Sequence, residues 1–293
     1  MISFKNKTEE SRKKNEEYRK KNEALKKIQK KLLEDKILKQ NKEVQIIKAY
    51  RTLLSPFLVN NTYNSVIPLN MYTCWHTKEL PPLMQQNYLE LVINNPEFKH
   101  FLYDENECRE FIKDNFDEKV LNAYNSLIPC SYKSDLWRFC ILYINGGIYL
   151  DIKYKCVNGF KLIALTEKEY FVKDRPENCV YTALIVTMPK NQIMLNCINK
   201  IVENVENKYY GTNALFPTGP GVLGLFFSKE ERNTLELYFQ ESIVEGKLND
   251  SYIVYQGKRI LNYYAKYREE QKTFQKNKRY DELWREKKIY NNI

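Results

Sequence analysis

The stretch at residues 131–155, SYKSDLWRFCILYINGGIYLDIKYK, decides the fold of this chain. Ser131 is a suitable N-cap for a helix whose second half is strongly apolar. The Asn-Gly-Gly sequence at 145–147 supplies the left-handed conformations that end such a helix. Apolar and polar residues alternate over 148–153, which predicts a strand. The stretch therefore predicts a helix that is followed at once by a strand.

Five polar side chains of this stretch are predicted to converge. Asp135 and Arg138 are three residues apart and share one face of the helix near its N-terminal end. On the strand, Tyr149, Asp151 and Lys153 share the face opposite to the apolar residues. Ligands of open α/β sheets bind beyond the carboxyl ends of the strands, where this group lies. The alternative is a structural ion pair beside an ordinary strand end. We favour a ligand site because five polar residues surround a double glycine.

Strand-like and helix-like segments alternate over residues 56–293. Strands are predicted at 71–75, 99–103, 148–151, 170–172 and 180–187. Helices are predicted at 84–93, 108–116, 132–144 and 192–206. The final stretch, from Lys258 to Ile293, is charged and aromatic and is predicted to be helical. This alternation predicts a three-layer α/β domain with a largely parallel sheet.

The basic excess of the chain is concentrated in its N-terminal segment. The whole sequence has a formal net charge of +10, and residues 1–50 hold 16 Lys or Arg against 8 Asp or Glu, a net of +8. From Thr8 to Leu54 there is no Gly or Pro, and a narrow apolar stripe recurs at helical spacing. A charged helical extension is therefore predicted over residues 1–55.

Two interpretations of that extension stay open. Its stripe packs on the body of the protein or on a second copy, which would make a homodimer. Alternatively, the helix binds an anionic membrane surface or nucleic acid. Interspersed Glu residues dilute the basic face and favour the first interpretation, so no nucleic-acid partner is expected.

Composition excludes several other classes of protein. The first 24 residues are polar and charged, so no signal peptide is expected, and no apolar run approaches the roughly 18 residues of a membrane span. The seven cysteines form no Cys-x-x-Cys pair, which favours reduced thiols over a zinc ribbon or a disulfide scaffold. Two histidines leave little scope for His-based metal or triad chemistry. These features predict a cytoplasmic protein.

The motifs of residues 131–155 resemble those of glycosyltransferase family 32, which is related in motif to the glucosylating domain of large clostridial toxins. That family shows Asp-x-x-Arg on a helix and then Gly-Gly-x-Tyr-x-Asp-x-Asp, the DXD motif, on a strand. The matching residues here are Asp135, Arg138, Gly146, Gly147, Tyr149 and Asp151, with Lys153 at the place of the last Asp.

The resemblance extends over about residues 66–225. Residues 67–82 resemble the family's opening strand, which ends in Trp before a turn rich in proline. Thr218-Gly219-Pro220-Gly221 resembles its Thr-Gly-Pro loop. The whole is similar to members encoded by large DNA viruses, which would place the protein in the host cytoplasm or the virion.

The resemblance implies a GT-A fold for residues 56–293, with a nucleotide-sugar site. The chain would move a hexose from a UDP- or GDP-sugar to a glycan, a protein or another acceptor, with retention of anomeric configuration. The residues implied to bind the donor are Trp75, Asp135, Arg138, Gly147, Tyr149, Asp151, Thr218 and Gly219. The residues implied to carry the reaction are Asp135, Arg138, Asp151 and Lys153.

Each of these residues has an implied role. Trp75 would stack on the nucleobase through its π-face. Asp135 and Arg138 would hold hydroxyls of the transferred sugar, while Tyr149 and Asp151 would contact the ribose, the sugar or a metal-bound water. The loop at 218–221 would let the backbone approach the sugar or the phosphates closely.

Lys153 is the serious departure from the family pattern. The second Asp of the family ligates Mn²⁺ or Mg²⁺, which neutralises the departing nucleoside diphosphate. A charged lysine ligates no cation, but its ammonium could supply part of the same stabilisation. Three hypotheses stay open: reduced metal dependence with Lys153 as a cationic substitute, a metal held by Asp151 and an unidentified carboxylate, or nucleotide-sugar binding without catalysis. A scaffold or anionic-surface binder that acts through the N-terminal helix is the alternative from another class.

Overall fold

The computed structural model describes residues 2–60, 62–244, 247–274 and 278–291. The chain divides into two compact units, Met1–Leu53 and Leu54–Ile293. The first unit is one helix, α1 (Ile2–Leu53), which confirms the predicted long N-terminal helix. Apolar side chains such as Ile28 and Ile47 are exposed on it. No helix in the described part of the chain is long and apolar enough to cross a membrane.

The second unit contains further helices, several of which begin at side-chain caps. Asp104 and Asn191 accept hydrogen bonds from backbone N–H groups in the first turns of α3 and α6. The helices are α2 (Pro82–Asn94), α3 (Glu105–Asn115), α4 (Glu118–Ser126), α5 (Cys130–Asn145), α6 (Gln192–Glu206), α7 (Pro220–Gly224), α8 (Lys229–Thr234), α9 (Tyr267–Phe274) and α10 (Tyr280–Arg285). A 3-10 helix spans Leu162–Leu165.

The strands of the second unit form one sheet, in the order β2-β1-β3-β6-β5-β7-β8-β9-β4. They are β1 (Asn70–Cys74), β2 (Lys99–Tyr103), β3 (Gly147–Leu150), β4 (Tyr154–Cys156), β5 (Tyr170–Lys173), β6 (Val180–Thr187), β7 (Leu237–Val244), β8 (Lys247–Tyr255) and β9 (Lys258–Tyr263). β1 pairs parallel with β2 and β3, and β5 pairs parallel with β7. Because β6 runs antiparallel between β3 and β5, the carboxyl ends of β1, β2, β3, β5 and β7 share one edge.

Hydrophobic side chains fill both faces of this sheet. On one face α5 and α6 contribute Trp137, Ile141 and Ile198 to a large buried cluster. On the other face a second cluster includes Phe160 from a loop and Leu91 from α2. The sheet is thus covered on both sides, and the predicted α/β class with three layers is confirmed.

The connection from α5 to β3 depends on two glycines. Gly146 ends α5 with a φ of 60°, and its N–H donates to the Leu142 carbonyl at 2.8 Å. Gly147 has a φ of 107°, and a Cβ there would lie 2.5 Å from the Asn70 carbonyl oxygen of β1. Only glycine tolerates both the left-handed conformation and this close approach. The double glycine therefore sets β3 directly beside β1.

Some expectations about the elements are wrong. The sheet is mixed, since all described strand pairs other than the three parallel ones are antiparallel. Ser131 is not the N-cap of α5: Pro129 occupies that position without a side-chain hydrogen bond, because the helix begins two residues earlier than predicted. β3 ends at Leu150, and a turn closed by Tyr154 N–H and the Asp151 carbonyl follows it.

The C-terminal stretch also differs from its prediction. It was expected to be helical from Lys258, but Lys258–Tyr263 is β9, which pairs with β8 and β4. Tyrosine and isoleucine in this strand pack into the sheet, and this packing outweighs the helical propensity of the charged residues. Helices follow only at Tyr267–Phe274 and Tyr280–Arg285, and residues 275–277 and 292–293 lie outside the described residues.

Candidate active site

The start of α5 and the carboxyl end of β3 bring three charged side chains into one buried group. Asp135 and Arg138 lie one turn apart on α5, and only 7% and 5% of their surfaces are exposed. Arg138 Nη2 lies 3.1 Å from Asp135 Oδ1, and Nη1 lies 3.7 Å from Asp151 Oδ1. The structure thus places one guanidinium between two carboxylates.

The guanidinium of Arg138 is fixed from several sides. Nη1 donates to the Thr182 carbonyl of β6 at 2.7 Å, and Nε donates to the Ser134 carbonyl at 3.2 Å. Its carbon lies 4.4 Å from the centre of the Tyr149 ring, within the range of a cation–π interaction. Such a group holds its charge in place before any ligand binds.

Asp135 is held by the loop that carries the Thr-Gly-Pro sequence. Thr218 Oγ1 donates to Asp135 Oδ2 at 2.8 Å, and Thr218 is fully buried. The next residue approaches as closely: a Cβ at Gly219 would lie 2.7 Å from the same oxygen. Thr218 and Gly219 are therefore brought to the charged group by a loop 83 residues further along the chain, and any side chain at 219 would push against the Asp135 carboxylate.

Asp151 accepts hydrogen bonds through both of its carboxylate oxygens. The Tyr149 hydroxyl donates to Oδ1 at 2.7 Å, and Lys153 Nζ donates to Oδ2 at 2.5 Å. The backbone N–H of Asp151 donates to the Ala183 carbonyl of β6 at 2.8 Å. Although the strand has ended, the turn keeps Tyr149, Asp151 and Lys153 together.

Lys153 lies in what we call the tyrosine box, formed by the rings of Tyr154, Tyr181 and Tyr263. The distances from Nζ to the three ring centres are 5.8, 5.9 and 5.3 Å. The rings are linked, because the hydroxyls of Tyr154 and Tyr181 are 2.9 Å apart and those of Tyr181 and Tyr263 are 3.5 Å apart. Ring faces attract a cation, so the box stabilises the charged lysine.

Burial and neighbouring charges shift the pKa values of Asp135, Asp151 and Lys153. Burial raises the pKa of Asp135, and the charge of Arg138 only partly opposes that effect. Burial also acts to raise the pKa of Asp151, but Lys153 and Arg138 outweigh it and hold that pKa below its ordinary value. Burial disfavours the charge of Lys153, yet Asp151 holds the pKa of Lys153 above its usual range. Asp151 and Lys153 are therefore an ion pair at neutral pH.

Trp75 follows β1 at the same edge of the sheet. Its backbone N–H donates to the Tyr103 carbonyl of β2 at 2.9 Å. The partly exposed indole packs against a small cluster that includes Ile152, and its ring centre lies 5.0 Å from that of Phe274 in an edge-to-face arrangement. Trp75 thus lies beside the Asp151–Lys153 turn.

The residues present do not fit a divalent cation. In the part of the chain that the structure describes, no group of three His, Cys, Asp or Glu side chains is placed to hold a metal. Mn²⁺ and Mg²⁺ prefer several oxygen ligands, whereas both oxygens of Asp151 are engaged by protein donors and one of those donors is an ammonium.

Several residues near the site were not singled out from the sequence. Asp174 follows β5 at the shared carboxyl edge and is buried, and burial raises its pKa to about 6. The rule that applies to strand ends could have identified it. Tyr181 and Tyr263 contact Lys153 from β6 and β9, and no local pattern links them to position 153.

A scan against family models matches residues 81–171 to the glycosyltransferase sugar-binding region containing the DXD motif. The predicted resemblance to glycosyltransferase family 32 is confirmed. The matched region contains Asp135, Arg138, Gly147, Tyr149 and Asp151, and it also contains Lys153. The buried charged group of α5 and β3 thus lies inside the part of the chain that the family shares.

Three known proteins are similar to about a third of the chain. An uncharacterized glycosyltransferase of Acanthamoeba polyphaga mimivirus is 30% identical over 31% of this chain and 37% of its own length. Inositol phosphoceramide mannosyltransferase 3 of Schizosaccharomyces pombe is 28% identical over 33% of this chain and 27% of its length. Initiation-specific alpha-1,6-mannosyltransferase of Candida albicans is 26% identical over 29% of this chain and 24% of its own length. The similarity thus spans little more than a third of these relatives at most.

A solved structure, PaToxG glycosyltransferase, gives a distant likeness. Its TM-score is 0.43 at 17% identity, with 64% of this chain and 75% of that chain covered.

Proposed function

We propose that this chain is a glycosyltransferase that moves a hexose from a nucleoside-diphosphate sugar to an acceptor hydroxyl. The observation that carries the proposal is the buried group of Asp135, Arg138 and Asp151, which lies at the carboxyl end of β3 within the region shared with the DXD-containing family. Since two of the similar proteins are named mannosyltransferases, a mannose donor is the first to test, and a UDP-hexose is the second.

The residues of the site suit different parts of the donor. Asp135 has lone pairs beyond those used by Thr218 and Arg138, so it can accept hydrogen bonds from hydroxyls of the transferred sugar. Arg138 and Lys153 are fixed cations near the place of the diphosphate, and the negative charge on the diphosphate grows as it leaves. Trp75 lies at the end of β1, where its ring can stack on the nucleobase.

In the proposed reaction, the bond between the anomeric carbon and the diphosphate oxygen breaks, and the acceptor oxygen bonds to that carbon. The bonding electrons of the broken bond stay on the departing diphosphate oxygen, and this oxygen takes up the proton that the acceptor hydroxyl loses. Retention of configuration is part of the proposal and follows from the family resemblance. Burial of Asp135 and Arg138 strengthens their electrostatic interactions with a bound donor.

A second candidate is a protein that binds nucleotide sugars without transferring them. The pairing of Asp151 with Lys153 favours it, because both oxygens of the remaining DXD aspartate are already engaged. Both candidate functions require binding of a nucleotide sugar, but only the glycosyltransferase would turn the sugar over.

The test is a panel of UDP- and GDP-sugars, with thermal shift for binding and release of free sugar or nucleoside diphosphate for turnover. We expect one donor to stabilise the protein and to be turned over. Asp135→Ala and Asp151→Ala should abolish turnover with the fold intact, whereas Asp114→Ala, which removes an exposed carboxylate on α3, should leave it unchanged. Binding without turnover would favour the second candidate. Full activity of both site variants would contradict the proposed site.

A further inference from the structure

Lys153 differs by two charge units from the Asp that the family pattern has at this position. We infer that Lys153 replaces the divalent cation, so that this site binds a nucleoside diphosphate through a protein ammonium and needs no metal. The inference rests on the proposed function and specifies the chemistry of the same site.

The charges of the site balance without a metal. Asp135 and Asp151 supply two negative charges, and Arg138 and Lys153 supply two positive ones. With Asp at 153, the same group would carry three negative charges and one positive charge, and a divalent cation would restore neutrality. The exchange of Asp for Lys adds the same charge as that ion. An added divalent cation would instead leave this buried group with a net charge of +2, which is unfavourable at low dielectric.

Asp151 is not available as a metal ligand in this arrangement. Its Oδ1 accepts from Tyr149 at 2.7 Å, and its Oδ2 accepts from Lys153 at 2.5 Å. A metal bound to Oδ2 would have to displace the ammonium, which the tyrosine box holds on its other sides. The ion pair and the box therefore stabilise the metal-free form together.

The ammonium keeps the capacity to bind a phosphate oxygen. Asp151 accepts one of its three N–H groups, and the tyrosine rings attract the charge through their faces. The side chain is 19% exposed, so part of it remains accessible to a ligand. The backbone is also fixed, because Tyr264 N–H donates to the Lys153 carbonyl at 2.9 Å. Lys153 is thus a positioned cation at the edge of the sheet where the diphosphate is proposed to lie.

The test measures binding of UDP and GDP to the full chain by isothermal titration calorimetry, once in EDTA and once in Mn²⁺. We expect one nucleotide to bind in EDTA, with an affinity that Mn²⁺ changes by less than about threefold. Lys153→Asp restores the family pattern, and it should lose roughly 10- to 100-fold of the affinity in EDTA, the range of a hydrogen bond to a charged group. Mn²⁺ should then restore binding to this variant.

Two further variants serve as controls. Lys155→Asp makes the same charge change two residues away, on a side chain that is 38% exposed and pairs with Glu90, and it should bind in EDTA as the wild type does. Lys153→Met removes the charge without adding a ligand, so its lost affinity should not return with Mn²⁺. Circular dichroism and melting temperatures show whether each variant is folded.

The outcomes separate the inference from the proposed function. Binding by the wild-type chain that appears only with Mn²⁺ overturns the inference and leaves the proposed function standing, and this result needs no variant to fold. Undiminished binding of folded Lys153→Met in EDTA also overturns it. No binding of either nucleotide, nor of their sugars, in both buffers refutes the proposed function together with the inference.

Discussion

Gly219 lies against the Asp135 carboxylate, so Gly219→Ala tests the geometry of the site directly. A Cβ at 219 would lie 2.7 Å from Asp135 Oδ2, whereas ordinary contacts begin at 3.4 Å, so one group must move by about 0.7 Å, the difference between the two distances. Thr218 donates to the same oxygen at 2.8 Å. If the carboxylate moves away, that hydrogen bond stretches to about 3.5 Å and is largely lost.

The expected effect on stability is moderate and the effect on function is large. Overpacking of this kind costs about 1–3 kcal/mol, which lowers the melting temperature of a domain of this size by roughly 2–10 °C. A shift of about 1 Å in a positioning group can reduce a rate by roughly 100-fold. We therefore expect Gly219→Ala to be folded at 25 °C and to turn over its donor roughly 30- to 100-fold more slowly than the wild type.

Gly221→Ala is the matched control for this variant. A Cβ at 221 would lie 2.8 Å from Cγ of Phe216 and 2.9 Å from its backbone Cα, so the overlap is similar in size but does not involve Asp135. Thermal unfolding should show that Gly221→Ala is destabilised at least as much as Gly219→Ala, whereas donor turnover should fall steeply only for Gly219→Ala. Wild-type turnover by Gly219→Ala, or an equal loss in both variants, would refute the role assigned to the Asp135 carboxylate.

Two further predictions concern stability. Burial raises the pKa of Asp174 from 3.8 to about 6, so its ionisation weakens folding. Below about pH 4 Asp174 is protonated in both the folded and the unfolded chain, and the folded state keeps its full stability. As the pH rises through 6, the free energy of unfolding falls by at most about 3 kcal/mol. Asp174→Asn should therefore raise the free energy of unfolding in urea at pH 7 but not at pH 4, and equal changes at both pH values would argue against this. Gly147→Ala combines a φ of 107° with a Cβ 2.5 Å from a carbonyl oxygen, whereas Gly159→Ala has a φ of 74° and its nearest atom at 3.7 Å. Since both share left-handed strain, we expect urea unfolding to show a loss at least about 2 kcal/mol larger for Gly147→Ala. Equal losses would show that the contact is relieved elsewhere.

Several elements of the second unit followed closely from the sequence. β2 and β6 have the predicted bounds, and α6 also begins and ends where its apolar periodicity predicts. β6 is a continuous apolar run that is buried on both faces, and α6 buries one apolar face, so both have a strong sequence pattern. The α5–β3 unit was also predictable, because the glycines after Asn145 allow only one kind of connection.

Other elements depend on contacts between distant parts of the chain. β7, β8 and β9 were not predicted, since they form a meander whose strands carry many charged and polar residues. The antiparallel insertion of β6 between β3 and β5 is a matter of topology, and several sheet orders satisfy the same pattern of segments. α4 was missed because it is a short helix that only Phe116 and Asp117 separate from α3.

In the candidate site, too, some contacts follow from local spacing and others depend on distant parts of the chain. Asp135 and Arg138 share a helix face, so their proximity follows from a spacing of three. The environment of Lys153 does not follow from spacing, because Tyr263 reaches it only through the pairing of β4 with β9. Thr218 reaches Asp135 through a loop 83 residues away, and only the family resemblance placed it at the site before the contact was seen.

The direct passage from α5 into β3 has a consequence for how this chain can vary in length. Helix residues end at Asn145, strand residues begin at Gly147, and a single residue separates them. Inserting or deleting one residue there would exchange the two faces of β3 and turn Tyr149 away from Arg138. The number of residues between Arg138 and Asp151 therefore has to stay constant for the two charges to meet. Length changes among related chains should instead fall in loops such as 207–217, which lie outside this interval.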